Sequence, residues 1–115
     1  MTIERFQVGP RMSQAVAYNN TVYLAGVIAD DATADVTGQT QQILAKIDAL
    51  LAEAGTDKSN LLSANVWLSD ISTFDQMNLA WDAWVTPGSP PVRACVESKL
   101  ARANLKVEIM VVAAR

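Results

Sequence analysis

The segment Pro90–Ser98, PPVRACVES, sets a permanently charged side chain among valine, alanine and cysteine. A guanidinium does not give up its proton at ordinary pH, so holding one in such company calls for a paired acid or a bound anion. Its planar fork of N–H donors matches a carboxylate two hydrogen bonds at a time. The residues alone leave two partners open for Arg93. One is a salt bridge, between strands or between subunits, to Glu97 or Glu108; the other is a bound anion.

Few other side chains of this chain can do chemistry. It has no histidine and one cysteine, Cys95, which removes Ser-His-Asp and Cys-His nucleophile arrangements and most zinc sites. No structural metal and no internal disulfide are expected. Cys95 has no evident base to activate its thiol, so it does not read as a nucleophile. Any catalysis must run on carboxylates, arginine, hydroxyls, backbone groups or water. The net charge is −3 and the nine basic residues are scattered, which disfavours nucleic acid and anionic membranes as partners. No apolar run approaches the roughly 20 residues of a membrane span. The start, MTIERFQVG, lacks the basic and apolar stretches of a signal peptide. With half of its 115 residues hydrophobic, the chain is expected to be a single domain over 1–115 and cytoplasmic.

The elements that must position Arg93 follow from periodicity. Residues Arg11–Ala17 alternate weakly, and YNNTVYLAGVIA places an Asn19-Asn20 turn before a β-rich run, predicting a hairpin. Gly26 inside that second strand marks a bulge or a close approach to the backbone. From about Val36 to Ala54 the spacing becomes helical, with Ile43, Ile47, Leu50, Leu51 and Ala54 on one face. Asp35 or Thr37 caps its start and Gly55 its end. Leu61–Ser69 reads as a strand. A second helix follows, capped by Asp70 or Ser72, with Phe74, Met77, Trp81 and Trp84 or Val85 at helical spacing and Pro87-Gly88 as its stop. The three tryptophans are expected to be core or interface packing. After PPVRACVES and the loop LARANL comes a last strand, KVEIMVVAA. The predicted order is ββαβαββ, an α+β layer with two helices on one face of a mixed sheet.

Alternation in the last strand puts Val107, Ile109, Val111 and Ala113 on one face and Glu108, Met110, Val112 and Ala114 on the other. Both faces are largely apolar, and two helices cover only one. The open face is therefore expected to associate with other copies. On the strand before it, Arg93, Cys95 and Glu97 share one face. If that is the open face, Arg93 points to the edge of a subunit interface, where small-ligand clefts form.

The ordered set of SQAV, VYLAG, QT…I…L…LLAEAG, VWLSD with F..MN after it, PPVRACVE and VEI resembles the RidA/YjgF family over nearly the whole length. The resemblance implies a chorismate-mutase-like fold, a homotrimer with a central barrel of sheets, and sites between adjacent subunits. It implies hydrolysis of enamine and imine carboxylic acids, such as 2-aminoacrylate and its imine tautomer, to 2-keto acids and ammonia, without a cofactor. Arg93 matches the family arginine that grips the substrate carboxylate. Cys95 matches a frequent cysteine whose backbone contacts ligand, Gly26 the glycine beside which ligand lies, and Asn78 an asparagine of the second helix.

Three departures stand out. Met12 occupies the place of a family tyrosine, and Met110 that of a glutamate credited with positioning the hydrolytic water. Ala25 replaces a serine often found before the glycine. Glu108 matches a family acidic position on the same strand face as Met110, but a two-residue step of roughly 6.6 Å predicts that it is too far away to substitute. Arg11, beside Met12, is either a cleft cation or a solvated surface group. The expected function is a hydrolytic deaminase of 2-imino and enamine carboxylic acids, weak or of altered specificity. The alternative is a non-catalytic binder of small 2-keto or amino acids. A ribonuclease is disfavoured by the missing histidine and the acidic balance.

Overall fold

The asparagine pair makes the turn it predicts. In the computed structural model, which describes residues 2–115, β2 (Ser13–Tyr18) and β3 (Thr21–Leu24) pair antiparallel across Asn19-Asn20. Asn19 takes a positive φ of 55°, a conformation that asparagine tolerates. An additional strand, β1 (Glu4–Val8), pairs with β2 at the edge of the sheet. The predicted order ββαβαββ lacks this strand. Among its five residues only Phe6 is half-buried, so alternation is too faint there to reveal a strand.

The second predicted strand breaks at Ala25-Gly26 and resumes as β4 (Val27–Ile28). Both pieces pair with the last strand, β7 (Val107–Ala114). Tyr23 lies opposite Val112 and Val27 opposite Ile109, so residues 24–26 face only residues 110–111. That extra residue is a bulge, as Gly26 foretold.

One sheet runs β1-β2-β3-β7-β5-β6, with β4 also on β7; β5 is Leu61–Leu68 and β6 is Val92–Glu97. The β5–β6 pair is parallel and the others are antiparallel. Both helices are crossovers between strands running in the same direction: α1 (Val36–Glu53) joins β4 to β5 and α2 (Phe74–Trp84) joins β5 to β6. Both lie on the same face.

Asp35 caps α1 by accepting a hydrogen bond from the Gly38 N–H at 2.8 Å. Gly55 ends it with a φ of 86°. Asp70 caps a short 3₁₀ turn, Ile71–Thr73, that leads into α2. The predicted apolar stripe of α1 is buried and packs on Val107, Ile109, Val111, Ala113 and the inward residues of β2, β3 and β5. Each buried leucine, isoleucine or valine stabilises this layer by about 1.5–3 kcal/mol relative to exposure. Gln39, also buried, donates to the carbonyls of Ala32, Ala34 and Asn104 and accepts from the Lys106 N–H, which ties the loop before β7 to α1. No helix of the described residues is long and apolar enough to cross a membrane.

Candidate functional site

Strand β6 is an edge strand, parallel to β5 and linked to it through α2. Arg93, Cys95 and Glu97 lie beside Ala64, Val66 and Leu68, the helix-facing residues of β5. The conditional expectation that Arg93 looks out from the open face is thereby corrected. Period-two alternation groups residues on a face but does not say which face the helices take.

On that face α2 builds a seat for the guanidinium. Arg93 Nη1 donates to Asn78 Oδ1 at 2.8 Å and lies 3.9 Å from Met77 Sδ. Its central carbon lies over two rings, 5.1 Å from the Trp81 centroid and 5.6 Å from that of Phe74. Phe74, Asn78 and Trp81 fall four and three residues apart, so they share one helical stripe.

The internal salt bridge is not formed. Among the described residues the ion pairs are Lys46–Asp30 and Arg115–Glu4. Glu97 instead accepts the Ile71 N–H at 3.1 Å, holding the turn that starts α2 against β6. Arg93 Nε and Nη2, which together form one bidentate edge of the fork, have no acceptor among the described residues. Cys95 is half-buried against the core. Burial pushes its thiol pKa up, against the opposing pull of the Arg93 charge, so it is a protonated and poor nucleophile near neutral pH.

The other predicted site residues gather elsewhere. Met12 and Gly26 line an open groove of about 740 Å³ whose walls include Gln14, Lys46 and Arg102 but not Arg93. Lys46 is already engaged, donating to the Ile28 carbonyl and to Asp30 at 2.9 Å each. Gly26 lies against the side chain of Glu108, and a Cβ at Gly26 would collide with the Glu108 carboxylate. Glu108 thus leans along β7 towards the bulge. Met110 is half-buried on the same open face, beside Asn65 of β5.

One chain therefore brings Arg93, Cys95 and Asn78 together, and Met12 and Gly26 together. It does not bring the two groups together. From β4 to β6 is three strand steps, roughly 14 Å at the usual spacing. No three of the described Cys, Asp and Glu side chains are placed to hold a metal ion.

A sequence profile for the family described as "Endoribonuclease L-PSP" matches residues 2–115. The chain is 46% identical over 114 residues to the RutC family protein YoaB of Escherichia coli, covering 99% of each chain. A RutC family protein of Haemophilus ducreyi is 45% identical over 112 residues, 97% of this chain and 96% of the relative. A crystal structure of a YjgF family member from Neisseria meningitidis superposes with a TM-score of 0.97 at 42% identity, covering 100% of this chain and 96% of the other. The chain belongs to the RidA/YjgF family.

For a RidA/YjgF chain the α+β layer of two helices on a mixed sheet is the expected fold. The aromatic partners of Arg93 escaped sequence reading. Phe74 and Trp81 were visible as a helical stripe, but such a stripe reads first as core, and Trp81 is indeed buried. The available signal was the β5–α2–β6 crossover, which lays a helix on the strand that carries the arginine.

Proposed function

We propose that this chain is a hydrolytic deaminase of reactive 2-imino and enamine carboxylic acids, yielding 2-keto acids and ammonia. The observation that carries the reading is Arg93: a fixed, partly buried guanidinium with one bidentate edge free and no internal acid to satisfy it. A carboxylate ligand supplies two charge-assisted hydrogen bonds in the plane of the fork. The imine carbon next to that carboxylate is electrophilic. Water adds to it, the nitrogen takes a proton, and the resulting carbinolamine collapses to the ketone as ammonia leaves. Orientation of substrate and water is the main contribution available from these residues.

The open sheet face supports assembly. Tyr23, Val92 and Val96 are about half or more exposed there, and Trp67, Met110 and Val112 are half-buried. An uncovered apolar surface of this kind favours association. A homotrimer packed through this face, with sites between subunits, is the assembly we infer. Light scattering on the purified protein tests the trimer directly.

The second reading is a non-catalytic binder of small carboxylates, favoured by Met12 and Met110, which supply no acid or base at the Gly26 end. Ribonuclease activity, the activity in the profile's description, fits poorly with a chain of net charge −3 that has no histidine. The deciding experiment generates imines from several amino acids with an amino-acid oxidase and traps them with semicarbazide in competition with the protein. Accelerated loss of imine that vanishes in Arg93→Ala supports the deaminase. Carboxylate binding without acceleration leaves the binder.

A further inference from the structure

Arg93 is held by more than its hydrogen bond. The guanidinium carbon lies over the rings of Trp81 and Phe74. Trp81 in turn packs on Trp84, with ring centroids 5.4 Å apart and planes inclined at 55°. The Trp84 indole N–H donates to both carboxylate oxygens of Asp48 on α1, at 3.0 and 3.1 Å. A brace thus runs from α1 through two tryptophans to the arginine. Asn78 takes Nη1, which leaves the Nε–Nη2 edge as the part of the fork without a partner among the described residues.

We propose that Trp81 and Phe74 are positioning residues that fix the guanidinium plane, so that the site takes a planar carboxylate in the plane of the fork, by its Nε–Nη2 edge. This rests on the reading of Arg93 as the carboxylate anchor. An arginine side chain that is free to rotate loses entropy when it closes two hydrogen bonds, whereas one already held against aromatic rings loses less. The rings also keep water from the parts of the guanidinium they cover, which strengthens the in-plane ion pair by lowering the local dielectric. The bracket acts on binding and not on the reacting carbon. Its loss therefore raises KM and leaves kcat nearly unchanged.

The test uses pyruvate as the carboxylate probe, read by calorimetry and by tryptophan emission, alongside imine hydrolysis. Phe74 is 37% exposed, so Phe74→Leu keeps the fold even where the buried Trp81→Leu does not. The bracket predicts pyruvate affinity about 3-fold weaker in Phe74→Leu and about 10-fold weaker in Trp81→Leu, with most of the latter recovered by Trp81→Phe. Binding quenches or shifts tryptophan emission in the wild type and much less in Trp81→Phe. If folded Phe74→Leu binds pyruvate as the wild type does, and so does Trp81→Leu where it folds, while Arg93→Ala does not bind, the positioning role is wrong and the anchor reading stands. If Arg93→Ala binds as well as the wild type, the anchor reading fails and the positioning role falls with it.

Discussion

The β6 edge of the sheet and its β4–β7 interior are built in opposite ways. At the β6 edge one charged side chain is surrounded by groups that fix it: Asn78 on Nη1, Trp81 and Phe74 at the guanidinium, and Trp84 and Asp48 behind Trp81. At β4–β7 the reverse holds. A groove runs past Met12 and Gly26, and Glu108, whose carboxylate lies against Gly26, has no hydrogen-bond or ion-pair partner among the described residues. The first leaves one bidentate edge of a held guanidinium free. The second offers space, apolar surface and a carboxylate resting on a glycine. On the proposed function, recognition falls to the first and bond-breaking chemistry to the second, and substitutions at the two should separate them.

The sharpest break comes from Arg93→Ala. Removing two charge-assisted hydrogen bonds should weaken pyruvate binding and lower kcat/KM for imine hydrolysis by at least about 100-fold. The same variant should melt near the wild-type temperature, since no internal acid is orphaned. Calorimetry and the semicarbazide competition assay check the two parts. Equal activity in wild type and variant would erase the distinction between the two regions.

Met110→Glu works on the other region. It adds an acid–base group beside the Gly26 bulge, where such a group contributes about 10²–10⁴-fold when well placed. A rise in kcat of about 10-fold or more, with KM little changed, is expected from a site whose binding half is complete and whose chemical half is sparse. An unchanged kcat would mean that residue 110 does not face the reacting carbon. Glu108→Gln in the same assay shows whether the acid already present contributes.

How much of this was legible in the sequence differs between the regions. Alternation in β7 and the helical stripe of α1 revealed the core, because burial on one face imposes a period. The bulge at Gly26 was legible because glycine in a strand has few other reasons to be there. Strand β1 was not, since an exposed edge strand imposes almost no pattern. The face of Arg93 was undecided for a different reason. A strand reads the same from either side until the crossover helix is placed on one of them. Nor does strand order alone reveal that Arg93 and Gly26 lie three strands apart, because separation across a sheet is a property of pairing.

Gly26→Ala probes the bulge itself. The added Cβ meets the end of the Glu108 side chain and not backbone, so the carboxylate must swing away. A loss of about 1 kcal/mol is expected, seen as a fall in Tm of about 4 °C. The double variant Gly26→Ala with Glu108→Ala should recover most of it, since the colliding group is then absent. A double variant no more stable than Gly26→Ala would place the strain in the backbone and remove Glu108 as the reason for the glycine.

The smallest effect belongs to Cys95, two residues from Arg93 on the same face. Burial raises its thiol pKa above the ordinary value, although the Arg93 charge pulls the other way. A thiol whose folded pKa is raised keeps its proton longer in the folded state than in the unfolded one. Its contribution to stability is therefore neutral below the unfolded pKa and becomes unfavourable as pH climbs through and above it. Two consequences can be measured. Iodoacetamide should label Cys95 more slowly than a free thiol at the same pH, and pyruvate bound at Arg93 should slow it further. Cys95→Ala should keep imine hydrolysis within about 3-fold of wild type, because a protonated thiol without a base is a packing group and not a nucleophile. A loss approaching that of Arg93→Ala, with binding intact, would instead move part of the chemistry to the β6 edge and overturn the separation.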